Sequence, residues 1–220
     1  MKDVIAKLGT IGIIPVVKIS DPKQALPLGR ALKAGILPVA EITFRTDAAE
    51  ESIRILSHEM PELILGAGTV LTVDQADAAA SAGAGYIVTP GFNPEVVDYC
   101  QKIGLPVVPG VNNPSDIERA IDMGLNLAKF FPAEASGGVR MLNSFDGPYE
   151  GKISFIPTGG VTPKNLTDYL ACGNVFAVGG SWMVSPDLLN DADYSRIETL
   201  CRDARMLSFG FRLKHIGINT

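Results

Sequence analysis

The stretch GLPVVPGVNNPSDIERAIDMGLNLAKFFPA, residues 104–133, holds one complete strand–helix–strand repeat. Two apolar, β-rich runs at 104–111 and 126–133 enclose a segment that begins at the N-cap sequence NPSD and ends near Gly124. A strand that is followed by a helix and a second strand usually pairs with that strand in parallel. The stretch therefore predicts one βαβ unit.

The same alternation recurs along the whole chain, with further apolar runs at 11–17, 36–44, 63–70, 84–91, 153–160 and 174–181. These runs are apolar on both faces, which is typical of a parallel sheet covered by helices. Eight βα units predict an α/β fold: a (β/α)8 TIM barrel that forms a single domain over 1–206, with a short N-terminal helix. A doubly wound open sheet is the alternative, although VVKISDPKQ after the first strand lacks the Gly-rich turn usual there.

Composition excludes several classes of protein. The 220 residues are 46% hydrophobic and 20% charged, with a net charge of −5, as in an ordinary soluble domain. We expect neither nucleic acid nor a membrane as a partner, because no basic run and no run of 18 apolar residues occurs. The scattered Cys100, Cys172 and Cys201 form no CxxC pair, and the N-terminus does not read as a signal peptide. A reducing, cytoplasmic location is expected.

In such barrels the active site lies at the C-terminal ends of the strands, and the second strand ends VAEITFR. Glu41, Thr43 and Arg45 alternate, so they share one face of this strand. A carboxylate in an apolar strand loses solvation and is suited to general acid–base work, while Arg45 offers a two-point grip for a substrate carboxylate. An internal Glu41–Arg45 ion pair that only fills the barrel is the structural alternative.

The sixth strand places Lys129 and Phe131 on a common face inside an apolar run. A lysine withdrawn from water favours its neutral amine, which can attack a ketone and form a Schiff base. A structural lysine that snorkels to the surface or is held in an ion pair is the alternative. Because Glu41 can face it across the interior, we favour the catalytic interpretation.

Paired glycines follow the last two strands, in PTGGVTPKN and VGGSW. The loops after strands seven and eight are the frequent phosphate site of this barrel, and glycine lets backbone N–H groups approach an anion. The candidates are Gly159, Gly160, Gly179, Gly180 and Ser181. Thr69 ends the third strand and offers a hydroxyl group, and Thr89 and Pro90 end the fourth and shape a wall, although each alone is more typical of a turn. Lys18 ends the first strand, where a solvated surface lysine is favoured.

Several segments resemble one family: EITFRT, GAGTVLT, VTPGFNPEVV, KFFPAE, FIPTGGVTPKN and AVGGSW. They are similar to the class I 2-keto-3-deoxy-6-phosphogluconate (KDPG) aldolases, many of which also cleave 4-hydroxy-2-oxoglutarate. The resemblance extends from about residue 4 to residue 206. It implies a (β/α)8 barrel, a homotrimer, no metal or other cofactor, and a Schiff base with pyruvate.

The resemblance also assigns roles. It implies Lys129 as the Schiff-base lysine and Glu41 as the general acid–base, with Arg45 and Thr69 at the pyruvyl carboxylate. Pro90 and Phe131 would line the site, and the phosphate would lie at Gly160, Gly180 and Ser181. Thr89 departs from the serine of many relatives, and its extra methyl group bears on preference among substrates.

The implied activity is cleavage of the phosphorylated 2-keto acid KDPG to pyruvate and glyceraldehyde 3-phosphate, and of 4-hydroxy-2-oxoglutarate to pyruvate and glyoxylate. Two alternatives stay open: a metal-free, phosphate-binding isomerase or synthase without an imine, and a non-catalytic interaction protein. KDPG and its 6-phosphogalactonate-type epimer are not distinguished by the sequence.

The tail 207–220 does not fit the barrel. Its segment FRLKHIGIN alternates like a strand and resembles the first strand of glyoxalase-like domains, in which the equivalent of His215 can bind a metal. We interpret it as a remnant of such a domain or as the start of one, and a frayed tail or a trimer contact is the alternative.

Overall fold

The structure, a computed structural model, describes residues 2–209. Within this range strands and helices alternate as the sequence predicts. The strands are Ile13–Val17 (β1), Val39–Thr43 (β2), Ile64–Gly68 (β3), Tyr86–Val88 (β4), Val107–Val108 (β5), Gly110–Val111 (β6), Leu127–Phe130 (β7), Ser154–Pro157 (β8) and Val178–Gly180 (β9).

The helices pack around these strands, and the first is the predicted N-terminal helix. They are Lys2–Ile11 (α1), Ala25–Ala34 (α2), Ala48–Glu59 (α3), Val73–Ala82 (α4), Pro94–Ile103 (α5), Pro114–Asp122 (α6), Gly138–Tyr149 (α7), Leu166–Leu170 (α8), Pro186–Asn190 (α9) and Tyr194–Ser208 (α10). Short 3₁₀ helices cover Pro22–Gln24 and Trp182–Val184.

Side-chain caps explain where several helices begin. The Asn93 side chain accepts hydrogen bonds from the N–H groups of Glu95 and Val96, and Asn113 accepts one from Asp116. In each case the proline at the next position has no N–H group to satisfy. These local signals fix the residue at which each of these two helices begins.

Every strand pairing is parallel. One sheet has the order β5-β4-β3-β2-β1-β9 and a second has the order β6-β7-β8. Parallel bridges between Thr158 and Gly179, and between Phe155 and Val175, connect the region of β8 to the last strand segment. Within each sheet, strands β1 to β5 and β6 to β8 follow the order of the chain, and the last strand lies beside the first. The predicted parallel α/β arrangement is confirmed as a curled sheet covered by helices.

The core lies on both faces of this sheet, as the apolar runs predict. All five residues of β1 and of β2 are buried, including Glu41 and Thr43. Helical faces supply the outer layer, for example Leu28 and Leu32 of α2. Charged side chains are rare in such a core. Those that lie on the inner face of the sheet are therefore candidates for a functional role.

The three cysteines are buried with free thiols. Burial raises the pKa of Cys100 to about 11 and that of Cys201 to about 12, so these thiols stay protonated near neutral pH. Among residues 2–209 no helix is long and apolar enough to cross a membrane. Of the predicted tail, Leu207 and Ser208 end α10, and FRLKHIGINT with His215 lies outside the described residues.

Candidate active site

A buried ion pair joins β7 to β2. The Nζ atom of Lys129 donates a hydrogen bond to Oε1 of Glu41 at 3.1 Å. Lys129 is 5% exposed and Glu41 is 2% exposed. The ring of Phe131 lies 5.5 Å from the same Nζ atom. An amine held between one carboxylate and an aromatic ring, away from bulk water, can pass its proton to that carboxylate and become a nucleophile.

Strand β3 makes room for this glutamate. The register places Gly68 beside Thr43, one step above Glu41 on the inner face. A Cβ atom at Gly68 would lie 2.2 Å from Oε1 of Glu41 and 2.8 Å from its Cδ atom. The carboxyl group therefore occupies the space that any other residue at position 68 would fill, and this fixes its position under Lys129.

A cavity of about 250 Å³ opens above the ion pair at the C-terminal ends of the strands. It brings together ten of the eleven predicted site residues, while Glu41 lies beneath it against Lys129. These ten are Arg45, Thr69, Pro90, Lys129, Phe131, Gly159, Gly160, Gly179, Gly180 and Ser181. Its size suits a small organic acid rather than a polymer.

Arg45 lies at the mouth of the cavity and is anchored by its strand. Its Nε atom donates a hydrogen bond to Oγ1 of Thr43 at 3.0 Å, and that hydroxyl donates to the carbonyl oxygen of Val17 at 2.7 Å. Among residues 2–209 the bond to Thr43 is the one hydrogen bond of the Arg45 guanidinium, and the side chain lines the cavity. A guanidinium that is held at one edge by such a bond is suited to bind a carboxylate through two of its other N–H groups. The alternative Glu41–Arg45 ion pair does not form, because Glu41 pairs with Lys129.

Thr69 adopts an uncommon backbone conformation at the edge of the cavity. Its φ is 56°, in the left-handed region that a β-branched residue rarely occupies. Hydrogen bonds on both sides hold it there: Phe44 N–H donates to the Gly68 carbonyl, and Val70 N–H donates to the Val88 carbonyl. Such strain persists where the surroundings fix it, commonly at functional sites.

The two glycine pairs line the cavity where β8 and β9 end. Gly159 and Gly160 have φ values of 96° and 84°, which glycine adopts without steric cost. Glu134 packs over Gly160, and the buried Tyr169 donates a hydrogen bond to the Glu134 carboxylate. This support behind the loop fixes the backbone N–H groups that an anion would contact.

Four further residues line the cavity: Val16, Thr43, Thr158 and Val161. Of these, sequence reasoning placed Thr43 on the inner face and missed the other three. The signal for Thr158 was its position between strand seven and the first glycine pair, which is where a wall residue is expected.

Pro90 lines the cavity, but its neighbour Thr89 does not. The Thr89 hydroxyl donates to the Gly91 carbonyl at 2.6 Å and accepts from the Gly110 N–H group. It therefore supports the turn rather than a ligand. In residues 2–209 no cluster of three or more His, Cys, Asp or Glu side chains has the arrangement of a metal site.

Comparisons with known proteins agree with this arrangement. A family model described as KDPG and KHG aldolase matches residues 4–200. The 2-dehydro-3-deoxy-phosphogluconate aldolase of Haemophilus influenzae is 45% identical over 202 residues, which cover 92% of this chain and 95% of that protein.

Two solved structures are similar over almost their whole length. The KDPG aldolase of Legionella pneumophila, with pyruvate captured as a covalent carbinolamine intermediate, has a TM-score of 0.88 at 38% identity, covering 91% of this chain and 97% of that one. The aldolase of Zymomonas mobilis with 3-phosphoglycerate has a TM-score of 0.87 at 36% identity, covering 93% and 96%. The resemblance in the sequence motifs is thus confirmed. The chain belongs to the KDPG and KHG aldolase family.

Proposed function

We propose that this protein is a class I aldolase that cleaves KDPG to pyruvate and glyceraldehyde 3-phosphate, and 4-hydroxy-2-oxoglutarate to pyruvate and glyoxylate. One observation carries the proposal. A lysine that is 5% exposed lies at the floor of a small cavity, 3.1 Å from a buried carboxylate. A phosphate-binding isomerase without an imine has no need of this pair, and family membership adds support.

Imine formation begins when the neutral Lys129 amine attacks the C2 ketone of the substrate. The attack forms a carbinolamine, and Glu41 moves protons while the hydroxyl group leaves as water. The resulting imine carries the substrate's C2 on the lysine nitrogen. Arg45 and Thr69 lie on the side of the cavity where the adjacent carboxylate would bind.

Carbon–carbon cleavage then uses the protonated imine as an electron sink. Glu41 takes the proton of the C4 hydroxyl, the C3–C4 bond breaks, and the aldehyde product leaves. The bonding pair remains as an enamine on the pyruvyl fragment. Protonation at C3 and hydrolysis release pyruvate and return Lys129 to its free form. Phe131 limits access of water to the nitrogen during these steps.

The distal phosphate of KDPG fits the glycine side of the cavity. Gly159, Gly160, Gly179 and Gly180 bring peptide N–H groups to the wall, and Ser181 adds a hydroxyl. The Zymomonas mobilis relative was solved with 3-phosphoglycerate, a small phosphorylated acid. The carboxylate end would thus lie toward the ends of β2 and β3, and the phosphate end toward the ends of β8 and β9.

Borohydride trapping tests the function directly. The protein is incubated with pyruvate, treated with borohydride, digested and analysed by mass spectrometry. We expect one reduced pyruvyl adduct, on Lys129. An isomerase, a synthase without an imine, or a non-catalytic binding protein would give no adduct. An adduct on another lysine would also reject the proposed mechanism.

Substitution of Gly68 with alanine should displace the catalytic carboxylate. The added Cβ would meet Oε1 of Glu41 at 2.2 Å, so the carboxyl group must move away from Lys129. We expect kcat for KDPG cleavage to fall about 100-fold, the effect of a misplacement of about 1 Å. Stopped assays of pyruvate release measure it. Gly173→Ala, whose Cβ would meet nothing within 4 Å, is the control. Unchanged kcat in Gly68→Ala would contradict the assigned position of Glu41.

Removal of the Ser181 hydroxyl should lower activity toward KDPG but not toward 4-hydroxy-2-oxoglutarate. A hydrogen bond to a charged phosphate is worth about 1.5–3 kcal/mol, so Ser181→Ala should lower kcat/KM for KDPG roughly 10- to 100-fold. The value for 4-hydroxy-2-oxoglutarate, which has no phosphate, should stay unchanged. Ser144→Ala is the control, because that hydroxyl donates to the Arg140 carbonyl on α7. Equal losses for both substrates would place Ser181 elsewhere in the reaction.

We propose that the two sheets close into a (β/α)8 barrel over residues 1–206, in which β5 and β6 count as one strand interrupted by Pro109. The Thr158–Gly179 bridge supports closure between the last strands. A homotrimer follows from the family resemblance, and the free, buried cysteines favour a cytoplasmic location.

A further inference from the structure

A buried tyrosine lies in the same row as the catalytic glutamate. The register pairs Glu41 with Gly66 across β2 and β3, and Gly66 with Tyr86 across β3 and β4. Residues paired in this way on parallel strands direct their side chains to the same face. Glu41 and Tyr86 therefore both point into the interior of the sheet, separated by one glycine.

The Tyr86 ring fills the space above that glycine. A Cβ atom at Gly66 would lie 2.2 Å from Cζ of Tyr86, the carbon that carries the hydroxyl group. The phenol therefore reaches across β3 toward β2, where Glu41 stands. Gly66, the residue between Glu41 and Tyr86 in this row, contributes no side chain of its own.

The hydroxyl group of Tyr86 has no hydrogen-bond partner among the described residues, although the side chain is fully buried. Buried tyrosines usually hydrogen-bond their hydroxyl groups, and phenylalanine would fill this space without leaving a polar atom unpaired. Burial, and second the charge of Glu41, raise the pKa of Tyr86 well above its usual value. The phenol therefore remains protonated, so it can donate a hydrogen bond to a carboxylate or accept one from a carboxylic acid.

Glu41 has capacity for a second partner. Within residues 2–209 its carboxylate accepts a hydrogen bond from Lys129 alone. Lys129 faces it from β7, and Tyr86 faces it from β4. The neighbouring positions of β1 and β3 contribute Val16, Gly66 and Gly68, and Arg45 lies two residues beyond the end of β2. Among these residues, Tyr86 is thus the one that can hydrogen-bond the Glu41 carboxylate when Lys129 binds covalently to the substrate.

We propose that Tyr86 is a positioning residue for Glu41: its hydroxyl group becomes a hydrogen-bond partner of the Glu41 carboxyl group once the Lys129 nitrogen turns to the substrate. This inference rests on the proposed aldolase function. The bond keeps the carboxyl group oriented toward the C4 hydroxyl, and as a donor Tyr86 favours the ionised carboxylate that must accept the proton.

Tyr86→Phe tests the proposal with the complete chain. We expect unchanged imine trapping on Lys129, unchanged or higher thermal stability, and a kcat for KDPG cleavage lower by about three- to tenfold, the worth of one hydrogen bond. The acid limb of the pH profile of kcat should move to higher pH by roughly half a unit to one unit, because the ionised carboxylate loses a donor. Tyr99→Phe, whose hydroxyl donates to Asp77 on the helical surface, is the control and should match the wild type.

The outcomes separate this inference from the proposed function. Absence of the Lys129 adduct in the wild-type protein would reject the aldolase mechanism whatever Tyr86→Phe does. A normal adduct in both proteins, with an unmoved acid limb in Tyr86→Phe, would overturn the role of Tyr86 even if kcat fell, because a purely structural residue leaves that limb in place.

Discussion

Lys129→Met is expected to abolish turnover and borohydride trapping together. Methionine keeps the length and apolar stem of lysine but has no nucleophile, so no imine can form. We expect kcat for KDPG cleavage to fall by on the order of 10⁵-fold or more, as when other enzymes lose their nucleophile. Coupled detection of pyruvate at high enzyme concentration measures the residual rate. Lys152→Met is the control, because this exposed lysine precedes β8 at the opposite end of the strands.

The same substitution should destabilise the fold. Without Lys129 the buried Glu41 has lost its positive partner, and breaking such a buried pair by removing one partner costs about 3–5 kcal/mol. Urea denaturation measures the loss, and adding Glu41→Gln should recover part of it, because the neutral amide leaves no unpaired buried charge. Turnover of KDPG by Lys129→Met at the wild-type rate would reject Lys129 as the nucleophile.

Glu41→Gln is expected to slow catalysis strongly while leaving imine formation detectable. Glutamine has nearly the same shape and can still contact Lys129, but it cannot exchange protons. Loss of a general acid–base typically costs about 10²- to 10⁴-fold in rate. We therefore expect a kcat reduction in this range for KDPG, with a slower yet measurable accumulation of the trapped Lys129 adduct. Single-turnover assays and timed borohydride quenches measure the two quantities separately.

Glu118→Gln provides the matched control. Its carboxylate accepts a hydrogen bond from the Tyr149 hydroxyl outside the cavity, so the substitution should leave both rates unchanged. If Glu41→Gln lost trapping as completely as Lys129→Met, the two residues would not have separate roles. Glu41 would then be needed for the addition step itself, and the assignment of cleavage to it would be wrong.

Local signals made much of the fold predictable. Apolar runs predicted the strands, and the cap at Asn113 predicted where a helix begins, because these preferences depend on a few neighbouring residues. The split of the run 104–111 into β5 and β6 at Pro109 was not predicted. Proline has no N–H group for the ladder, but its effect depends on how the neighbouring strands approach, which only the assembled sheet determines.

The sequence predicted which residues form the site but not how their side chains pack. Polar residues at strand ends identified Lys129, Glu41 and Arg45, since charged groups in apolar runs are exceptional. The roles of Thr158 and Tyr86 depend on contacts between distant strands. Nothing in the order of the residues indicates that the Tyr86 ring would lie across Gly66 or that Thr69 would hold a strained backbone.

The interior face of β3 has a practical consequence for enzyme engineering. At the levels of Glu41 and Tyr86 this strand presents only Gly66 and Gly68, so no atoms remain there to trim. Space for a bulkier acceptor aldehyde can come from Val16 or Val161, apolar side chains that line the cavity and have no assigned part in the chemistry. Libraries that aim to broaden the range of aldehydes are best directed at those two positions, with the glycines of β3 left untouched.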